Sequence, residues 1–307
     1  MKHSRRARRS RTQKKQLVPM LLGIALLVVT LLSIFLIFLK QPSKQQSDSK
    51  ASTVETTTSS SVMASESSEV QTGIIWEQQT EPIKLPILMY HAIHVMAPEE
   101  EANANLIVDP TTFEGHLKAL QDAGYYTLSP EEAYKVLTEN VLPAGKKVVW
   151  LTFDDSLWDF YSYAYPLLKQ YQMKATNNVI TGFTENGIEG YLTLDQMKEM
   201  QANGMSFQGH TVNHPDLEVS STDDQMSELS QSKNYLDSQL NQETIVVAYP
   251  SGSYSQDTLN ISEQAGYKLG LTTNNGLASL ADGLLSLNRV RILPTTTGDG
   301  LISEISH

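Results

Sequence analysis

The sequence has no cysteine among its 307 residues. This absence excludes a disulfide framework, and it also excludes a lipid anchor attached through an N-terminal cysteine. A folded domain in this chain must therefore depend on its hydrophobic core. No internal repeat is present either, and the globular part, about 225 residues long, suits one domain of barrel type.

Basic residues are scarce outside the N-terminus. The first fifteen residues contain eight of the 23 Lys and Arg residues and no Asp or Glu, so 15 basic residues face 34 acidic ones from Gln16 onward. A domain with that balance of −19 is a poor candidate for electrostatic binding to nucleic acid or to anionic lipid. We therefore expect no nucleic-acid partner.

Residues 17–39 form an uncharged run of 23 residues after the basic N-terminus. At about 1.5 Å per residue, this run can cross a hydrocarbon core of about 30 Å. It is too long for a cleaved signal peptide, and Lys40–Ser43 offers no small-residue cleavage site. Because positive flanks stay in the cytoplasm, we predict a cytoplasmic tail over 1–16 and a retained single-pass transmembrane helix over 17–39. The remainder would be extracellular, as on Gram-positive surfaces.

The next segment is rich in Ser, Thr, Gln and Glu, and residues 49–68 are nearly a low-complexity tract. Such a segment cannot bury enough apolar surface to order itself. We predict a flexible linker over 40–80 and a folded domain over 81–307. A tether of about 35 residues has a root-mean-square reach of roughly 30 Å, which suits a domain that works outside its own membrane.

Strand-like apolar runs alternate with helical patterns through the predicted domain. This alternation indicates an α/β fold with a parallel sheet. About seven strands in one domain favour a barrel over an open sheet. Residues 95–109 and 182–190 are predicted to be loops, and a helix or helical turn is predicted over 161–171.

Two adjacent carboxylates, Asp154 and Asp155, follow the apolar run Val148–Phe153. Buried parallel strands are continuous apolar runs, and ligands tend to bind at their carboxyl ends. Since successive side chains on a strand point to opposite faces, both carboxylates can face one site only if the strand breaks there. The alternative is that Asp154, Asp155 and Ser156 form a solvated turn or a helix N-cap.

His210 and His214 follow a second strand-like segment, Ser206–Gly209, and are separated by three residues. This spacing is typical of metal ligands, and two His with one carboxylate are a common catalytic zinc set with an open position. The alternative is a pair of surface histidines beside a turn. The joint pattern of two strand ends, one with Asp-Asp and one with His-x-x-x-His, is more specific than either motif alone.

At these residues the chain resembles the polysaccharide deacetylases of carbohydrate esterase family 4, which share the NodB homology domain. The matching segments are Thr152–Asp155, His210–His214 and Tyr249–Gly252, and the resemblance extends over roughly Pro86 to Arg291. It implies an irregular (β/α) barrel with about seven strands. Residues just beyond the strand ends line the active site of such a barrel.

The resemblance also implies roles for individual residues. Asp154 matches the general base, which takes a proton from the attacking water. The backbone N–H of Ser251 matches a donor to the oxyanion, and Tyr249 in the same turn is predicted with it to contact the oxyanion or the substrate. The remaining matches are the ligands of a divalent metal, most often zinc in this family: Asp155, His210 and His214.

The chain departs from the common family pattern in its general acid. It lacks the Leu-x-His motif near the C-terminus, where His307 is the final residue. His3 lies in the predicted tail and His116 inside a predicted helix, which leaves His91 and His94. A Tyr-His pair directly after the first strand resembles a permuted subgroup in which the acid comes from that strand. We therefore predict His91 as the acid, the alternative being a structural role.

A second departure concerns the partner of the base. The family often has an Arg two residues before the Pro of the third motif, and this position is Ala248 here. Arg289 and Arg291 lie on the same side of the last predicted strand, so either could orient Asp154. The alternative is a salt bridge at the barrel rim. Ser156 replaces the usual Gly after Asp-Asp.

The function implied by the resemblance is metal-dependent removal of N-acetyl groups from N-acetylglucosamine-type residues of cell-envelope polysaccharide. The substrate would be peptidoglycan or the linkage unit of a wall polysaccharide, as for similar streptococcal-type enzymes. The alternatives are an O-acetyl polysaccharide esterase, a catalytically inactive glycan-binding module and a structural wall tether. We expect a monomer anchored in the membrane.

Overall fold

The structure is a computed structural model that describes residues 73–306. Within this range strands and helices alternate, as predicted. The strands are β1 (Trp76–Gln78), β2 (Ile87–Tyr90), β3 (Ala92–Ile93), β4 (Ile107–Val108), β5 (Tyr125–Thr127), β6 (Val141–Pro143), β7 (Lys147–Phe153), β8 (Ala175–Val179), β9 (Met205–Gly209), β10 (Val246–Ala248), β11 (Leu269–Asn275) and β12 (Leu287–Arg291). The helices are α1 (Pro110–Asp122), α2 (Pro130–Glu139), α3 (Tyr165–Gln170), α4 (Thr181–Glu185), α5 (Leu194–Gln201), α6 (Thr222–Leu240), α7 (Gln256–Gln264) and α8 (Gly298–Ile305).

Seven parallel strands close into a barrel. Their order is β2, β12, β11, β10, β9, β8 and β7, and the pairing of β7 with β2 completes the ring. Ile87 lies opposite Trp150 and Tyr90 opposite Phe153 in that closing pair. β5 adds to β7 outside the ring, also in parallel. The seven-stranded α/β barrel predicted from the sequence is therefore confirmed.

The barrel strands are buried on both faces, which is why they are continuous apolar runs. One set of alternate residues, including Trp150 and Leu271, packs inside the ring, and Val136 of helix α2 belongs to the same hydrophobic cluster. The other set, including Leu151 and Phe207, packs outward against the surrounding helices. Because the two sets alternate along each strand, polar residues of the inward set at the strand ends are directed over the barrel mouth.

The folded domain begins before residue 81, the predicted boundary. β1 pairs antiparallel with β6, and the Ala144 N–H donates to the Ile75 carbonyl at 2.9 Å. Trp76 packs on the inner core while the following residues, Glu77 and Gln78, are exposed. These polar residues resemble the preceding linker in composition, so the boundary was placed too late.

Two local predictions need correction, and a third, the helix or helical turn over 161–171, is confirmed. The predicted loop over 95–109 contains a 3₁₀ segment, Pro98–Leu106, and then β4, which pairs with β3. The predicted loop over 182–190 begins within the short helix α4. The predicted helix over 161–171 starts as a π-helical turn, Phe160–Ala164, before it continues as α3. In all three places short-range hydrogen bonds form where the sequence has no clear periodicity.

The predicted tail over 1–16, the transmembrane helix over 17–39 and most of the linker lie outside the described residues. These assignments remain predictions. Among residues 73–306, no helix is both long and apolar enough to cross a bilayer.

Candidate active site

The predicted site residues converge at the carboxyl ends of the barrel strands. His91 follows β2, Asp154 and Asp155 follow β7, and His210 follows β9. Arg289 lies within β12 and reaches the same place from inside the ring. Since this edge of a parallel barrel is where ligands bind, the arrangement is that of a candidate active site.

A backbone break at the end of β7 brings the two neighbouring carboxylates to one site. Asp155 has φ 75° and Ser156 has φ 53°, both in the left-handed region that non-glycine residues rarely adopt. The His segment has the same character, with φ 65° at Thr211 and φ 58° at His214. Such conformations cluster at functional sites because the surrounding structure must hold them. The solvated turn or N-cap considered from the sequence does not describe Asp154, which is only 3% exposed.

Asp154 is held on both carboxylate oxygens. Arg289 donates from Nη1 to Oδ1 at 2.9 Å and from Nη2 to Oδ2 at 2.6 Å. Asn178 donates from Nδ2 to Oδ1 at 2.7 Å. Arg289 is fully buried, and its remaining contacts are to the Thr152 hydroxyl at 3.2 Å and the Thr272 carbonyl at 2.8 Å.

Burial and charge act in opposite directions on Asp154. Burial alone would raise its pKa, but the charge and hydrogen bonds of Arg289 outweigh burial and hold the pKa far below the usual Asp range. The carboxylate is therefore ionised at neutral pH and fixed in one orientation. It can accept a proton from a molecule held beside it.

Arg289, and not Arg291, is the partner of Asp154. Of the two candidates from the sequence, only Arg289 forms the bidentate pair. Arg291 is close enough for its charge to lower the pKa of His91. The position of Ala248, where an Arg is common in the family, is thus compensated from strand β12. The alternative of a salt bridge at the barrel rim does not hold, because the Arg289–Asp154 pair is buried inside the ring.

Asp155, His210 and His214 form a group of converging donor atoms. The Oδ1 of Asp155 lies 3.3 Å from Nε2 of His210 and 3.6 Å from Nε2 of His214, and all three ligand atoms lie within 4.8 Å of one another. Donor atoms placed about 2.0–2.1 Å from a tetrahedral zinc are about 3.3 Å apart. The two distances from Asp155 to the histidines therefore suit one tetrahedral ion with a fourth position open.

The chemistry of these donors also fits a cation. His210 Nδ1 lies 2.7 Å from the Ala248 carbonyl, so it carries the proton and leaves Nε2 with a lone pair in the neutral ring. That lone pair faces the Asp155 carboxylate, which also has no proton to donate. Burial lowers the pKa of His210, but the hydrogen bond and charges of the Asp residues outweigh burial and raise it. The facing lone pair and carboxylate, and the raised pKa of His210, both indicate that a positive charge between these atoms would be stabilised. A bound metal would supply that charge.

His91 lines a cleft of about 500 Å³ together with Asp155. Burial lowers the pKa of His91, and the nearby Arg289 and Arg291 lower it further against the opposing charges of Asp154 and Asp155. Among the described residues its ring has no hydrogen-bond partner. It is free to exchange a proton with a molecule in the cleft.

His94, the other candidate acid, is held between two carboxylates. Its Nδ1 lies 2.6 Å from Oδ2 of Asp159, and its Nε2 lies 3.1 Å from both oxygens of Glu100. Burial lowers the pKa of His94, but these hydrogen bonds and charges outweigh burial and raise it. Both ring nitrogens are occupied, so the geometry favours His91 over His94 as a proton donor.

Ser251 and Tyr249, the two predicted residues of the third motif (Tyr249–Gly252), lie in different surroundings. Ser251 is exposed, with φ 55°, directly after Pro250. Tyr249 is fully buried, and its hydroxyl donates to the Leu285 carbonyl at 2.9 Å. The prediction that Tyr249 contacts substrate is therefore wrong for its side chain, which continues the outward set of β10 into the core.

Two residues that support the site were missed in the sequence. Asn178 fixes Asp154, and consecutive Asn residues in a buried strand were the available signal. Glu228 on α6 accepts hydrogen bonds from the N–H groups of Val212 and Asn213, both at 2.8 Å, and so holds the segment between the two metal-ligand candidates. No local pattern distinguishes Glu228 from the other acidic residues of a solvent-facing helix.

Comparison with known proteins places this geometry in a family. A family model for polysaccharide deacetylases matches residues 141–270. YxkH of Bacillus subtilis, assigned to the polysaccharide deacetylases, is 41% identical over 223 residues, which cover 73% of this chain and 76% of YxkH. The poly-β-1,6-N-acetyl-D-glucosamine N-deacetylase of Staphylococcus aureus is 32% identical over 184 residues, 55% of this chain and 61% of that protein.

Solved structures of similar proteins support the same family. The deacetylase PplD of Streptococcus pyogenes, in complex with acetate, is 62% identical and has a TM-score of 0.72, covering 74% of this chain and 100% of PplD. The polysaccharide deacetylase BC0361 of Bacillus cereus is 29% identical with a TM-score of 0.65, covering 73% of this chain and 70% of that one. The resemblance found in the sequence is confirmed, and this chain belongs to the polysaccharide deacetylase family of enzymes.

Proposed function

We propose that this enzyme removes N-acetyl groups from N-acetylglucosamine-type residues of a cell-envelope polysaccharide, with the help of a divalent metal, and releases acetate. The observation that carries the proposal is the position of the Asp155, His210 and His214 donor atoms beside the ionised Asp154. This pairing of a candidate metal site with a separate carboxylate suits the hydrolysis of an unactivated amide.

The metal would be held by Asp155, His210 and His214, and the His and carboxylate donors favour Zn²⁺. A bound metal would polarise the acetamide carbonyl and lower the pKa of water. The hydrogen bond from His210 Nδ1 to the Ala248 carbonyl sets the ring orientation for this role.

The remaining steps belong to residues of the chain. Asp154, oriented by Arg289 and Asn178, accepts a proton from the attacking water. The N–H of Ser251 would stabilise the negative charge that develops on the carbonyl oxygen. The leaving nitrogen of an amide is a very poor anion, so it must be protonated as the bond breaks. His91 is proposed to donate that proton from its protonated ring, which is a strong acid because its pKa is lowered.

The names of the relatives support the choice of substrate. The Staphylococcus aureus relative is named for a polymer of N-acetylglucosamine, and the PplD structure contains acetate, the product of deacetylation. Within this proposal the glycan is peptidoglycan or the linkage unit of a wall polysaccharide. Removing the acetyl group would convert a neutral acetamide into an ammonium group.

The location belongs to the proposal as well. The uncharged run over 17–39 behind a basic tail supports a membrane anchor with an extracellular domain. A linker over 40–80 would let the domain reach a wall polysaccharide. We further propose that the domain acts as a monomer.

Separate variants of the two adjacent carboxylates test the proposal in the full-length chain. Asp154→Asn should keep one equivalent of metal but lose roughly 10²–10⁴-fold in the rate of acetate release, because a base is removed without a ligand. Asp155→Asn should lose the metal and the activity together. Metal content and acetate release from N-acetylglucosamine oligosaccharides are measured on the same samples.

The reverse result, metal lost only in Asp154→Asn, would exchange the two roles. Acetate release from acetylated xylan but from no N-acetylated glycan would favour the O-acetyl esterase. Metal binding and glycan binding without any acetate release would favour the inactive binding module.

A further inference from the structure

The cleft beside the candidate metal site contains side chains that have no role in the proposed reaction. His91 and Asp155 line it together with His94, Trp158 and Tyr191. Trp158 is 43% exposed, whereas Trp150 is fully buried and Trp76 half-buried. An exposed indole beside a catalytic cleft is the kind of apolar surface that marks a ligand-binding groove.

Trp158 is held in place on several sides. Its backbone N–H donates to the Gly190 carbonyl at 3.0 Å. Its indole stacks on the ring of His94, with ring centroids 6.0 Å apart and planes 23° apart. The edge contact with Tyr163 has a centroid distance of 5.8 Å. The exposed face of the indole is therefore presented to the cleft by a rigid support.

The ring of His94, on which the indole stacks, is itself held in place by charged side chains. His94 lies between Asp159 and Glu100, as described above. Asp159 is fully buried and also accepts a hydrogen bond from the Ile93 N–H at 3.0 Å. Burying a carboxylate is costly unless it is paired, and here the pairing fixes a ring whose other face contacts Trp158. A surface ordered in advance binds a ligand with a smaller loss of entropy.

Charge in the cleft limits the ligand that can stack there. Glu100, Asp155, Asp159 and Glu189 all line the cleft. Glu100 and Asp159 are paired with His94, and Asp155 lies against His210 and His214, so Glu189 contributes most of the negative charge that a phosphorylated sugar would meet. An uncharged pyranose ring has one face of C–H groups that can cover an indole, while its hydroxyl groups stay in water.

We propose that Trp158 is a substrate-binding residue, on which the uncharged N-acetylhexosamine ring next to the one being deacetylated stacks. Trp158 is three residues from Asp155, so their Cα atoms are at most about 11 Å apart, and both residues line the same cleft. The inference rests on the proposed function, because it assigns the neighbouring subsite of the same glycan.

The test measures glycan binding without turnover, by calorimetry on full-length Asp154→Asn. The ligands are N-acetylglucosamine and its β-1,4- and β-1,6-linked trisaccharides. Adding Trp158→Ala should weaken the binding of the better trisaccharide about tenfold, since stacking on an aromatic ring contributes on this order. Trp158→Phe should stay within about threefold of the parent. Binding of the monosaccharide should change much less than that of the trisaccharide, because only the longer ligand has a neighbouring ring.

Two further variants keep the test specific. Trp158→Leu retains an apolar side chain without a flat face, so it should behave like Trp158→Ala. Leu280→Ala removes an exposed apolar side chain from a different groove, lined by Pro82 and Leu137, and should bind as the parent does. Zinc titration of each variant checks that the metal site is intact. In the active chain, Trp158→Ala should raise KM for the trisaccharide much more than it lowers kcat.

Equal trisaccharide affinity in the parent, Trp158→Ala and Trp158→Leu would overturn the stacking proposal. If the active chain still released acetate from the glycan, the proposed function would stand without it. If the Asp154→Asn chain bound neither trisaccharide and the active chain released no acetate from them, both proposals would fail together.

Discussion

At the scale of single residues, the two neighbouring carboxylates differ because their surroundings differ. Asp154 is buried and paired with Arg289, whereas Asp155 is turned by its positive φ toward His210 and His214. A carboxylate paired with Arg is a weak base, and this pairing opposes its proposed role as proton acceptor. Water activation would therefore depend on the metal as well as on Asp154.

The free ring of His91 and the clamped ring of His94 lead to opposite expectations. His91→Ala should keep the fold and the metal but lose N-deacetylation by at least about 10²-fold, because the amide nitrogen then leaves without a proton. Hydrolysis of an acetyl ester with a phenolic leaving group should fall much less, since a phenolate needs no proton. Both rates are measured on the same preparation.

His94→Ala is the matched variant for that comparison. Its loss removes the contact beneath Trp158 but no proton donor, so amide and ester hydrolysis should not diverge as they do in His91→Ala. A selective amide defect in His94→Ala and none in His91→Ala would assign the acid to His94. No selective defect in either variant would remove both histidines from the step.

At the scale of elements, a buried histidine joins parts of the chain that are distant in sequence. His116 on α1 donates from Nε2 to the Thr296 carbonyl at 2.7 Å, just before α8, and its Nδ1 accepts from the Tyr90 hydroxyl at 3.1 Å. Both bonds suit the neutral ring. Burial lowers the pKa of His116 below its usual value near 6.5.

This lowered pKa makes the stability contribution of His116 dependent on pH. The unfolded chain takes up a proton near pH 6.5 while the folded chain still excludes it, so stability is full above that pH and is lost as the pH falls through it. In urea titrations, the free energy of unfolding of the parent should fall more steeply from pH 7 to pH 5 than that of His116→Gln. The Gln amide can still donate to Thr296 but does not titrate.

The other histidines titrate in both proteins and cancel in the difference. The gap between the parent and His116→Gln should therefore narrow toward pH 5. Parallel curves over the same range would mean that His116 titrates alike in the folded and the unfolded chain, so that burial does not lower its pKa.

Elements were predictable from the sequence where their pattern was strong. Val148–Phe153 is a continuous apolar run and lies within β7, and the amphipathic pattern from Thr222 to about Leu240 predicts the helix that the structure shows as α6. β1 and β6 have three residues each and gain stability only by pairing across more than 60 positions. The 3₁₀ segment Pro98–Leu106 has no buried residue. Neither these short strands nor the 3₁₀ segment therefore has a local sequence pattern from which it could be predicted.

For the whole molecule, the sequence predicted a barrel and grouped the site residues, but not the contacts across the ring. The choice between Arg289 and Arg291 depends on how far inside the ring each side chain lies, which strand alternation cannot distinguish because both point the same way. Tyr249 was misplaced because a motif match does not indicate which face of its strand is outward. Long-range geometry, set by barrel closure, decided both cases.

Metal binding should also stabilise the whole molecule, because the unfolded chain does not bring Asp155, His210 and His214 together. After chelation, zinc added at about 100 times its Kd should stabilise the folded chain by about 2.7 kcal/mol, which raises Tm by roughly 5–10 °C.

The formal net charge of −11 means that any divalent cation could act by general screening. Mg²⁺, which prefers oxygen ligands, is the control for that effect and should raise Tm much less. His214→Ala removes one half-buried ligand and should abolish most of the zinc shift. Equal shifts with both metals, or an unchanged zinc shift in His214→Ala, would place the stabilising cation elsewhere on the acidic surface.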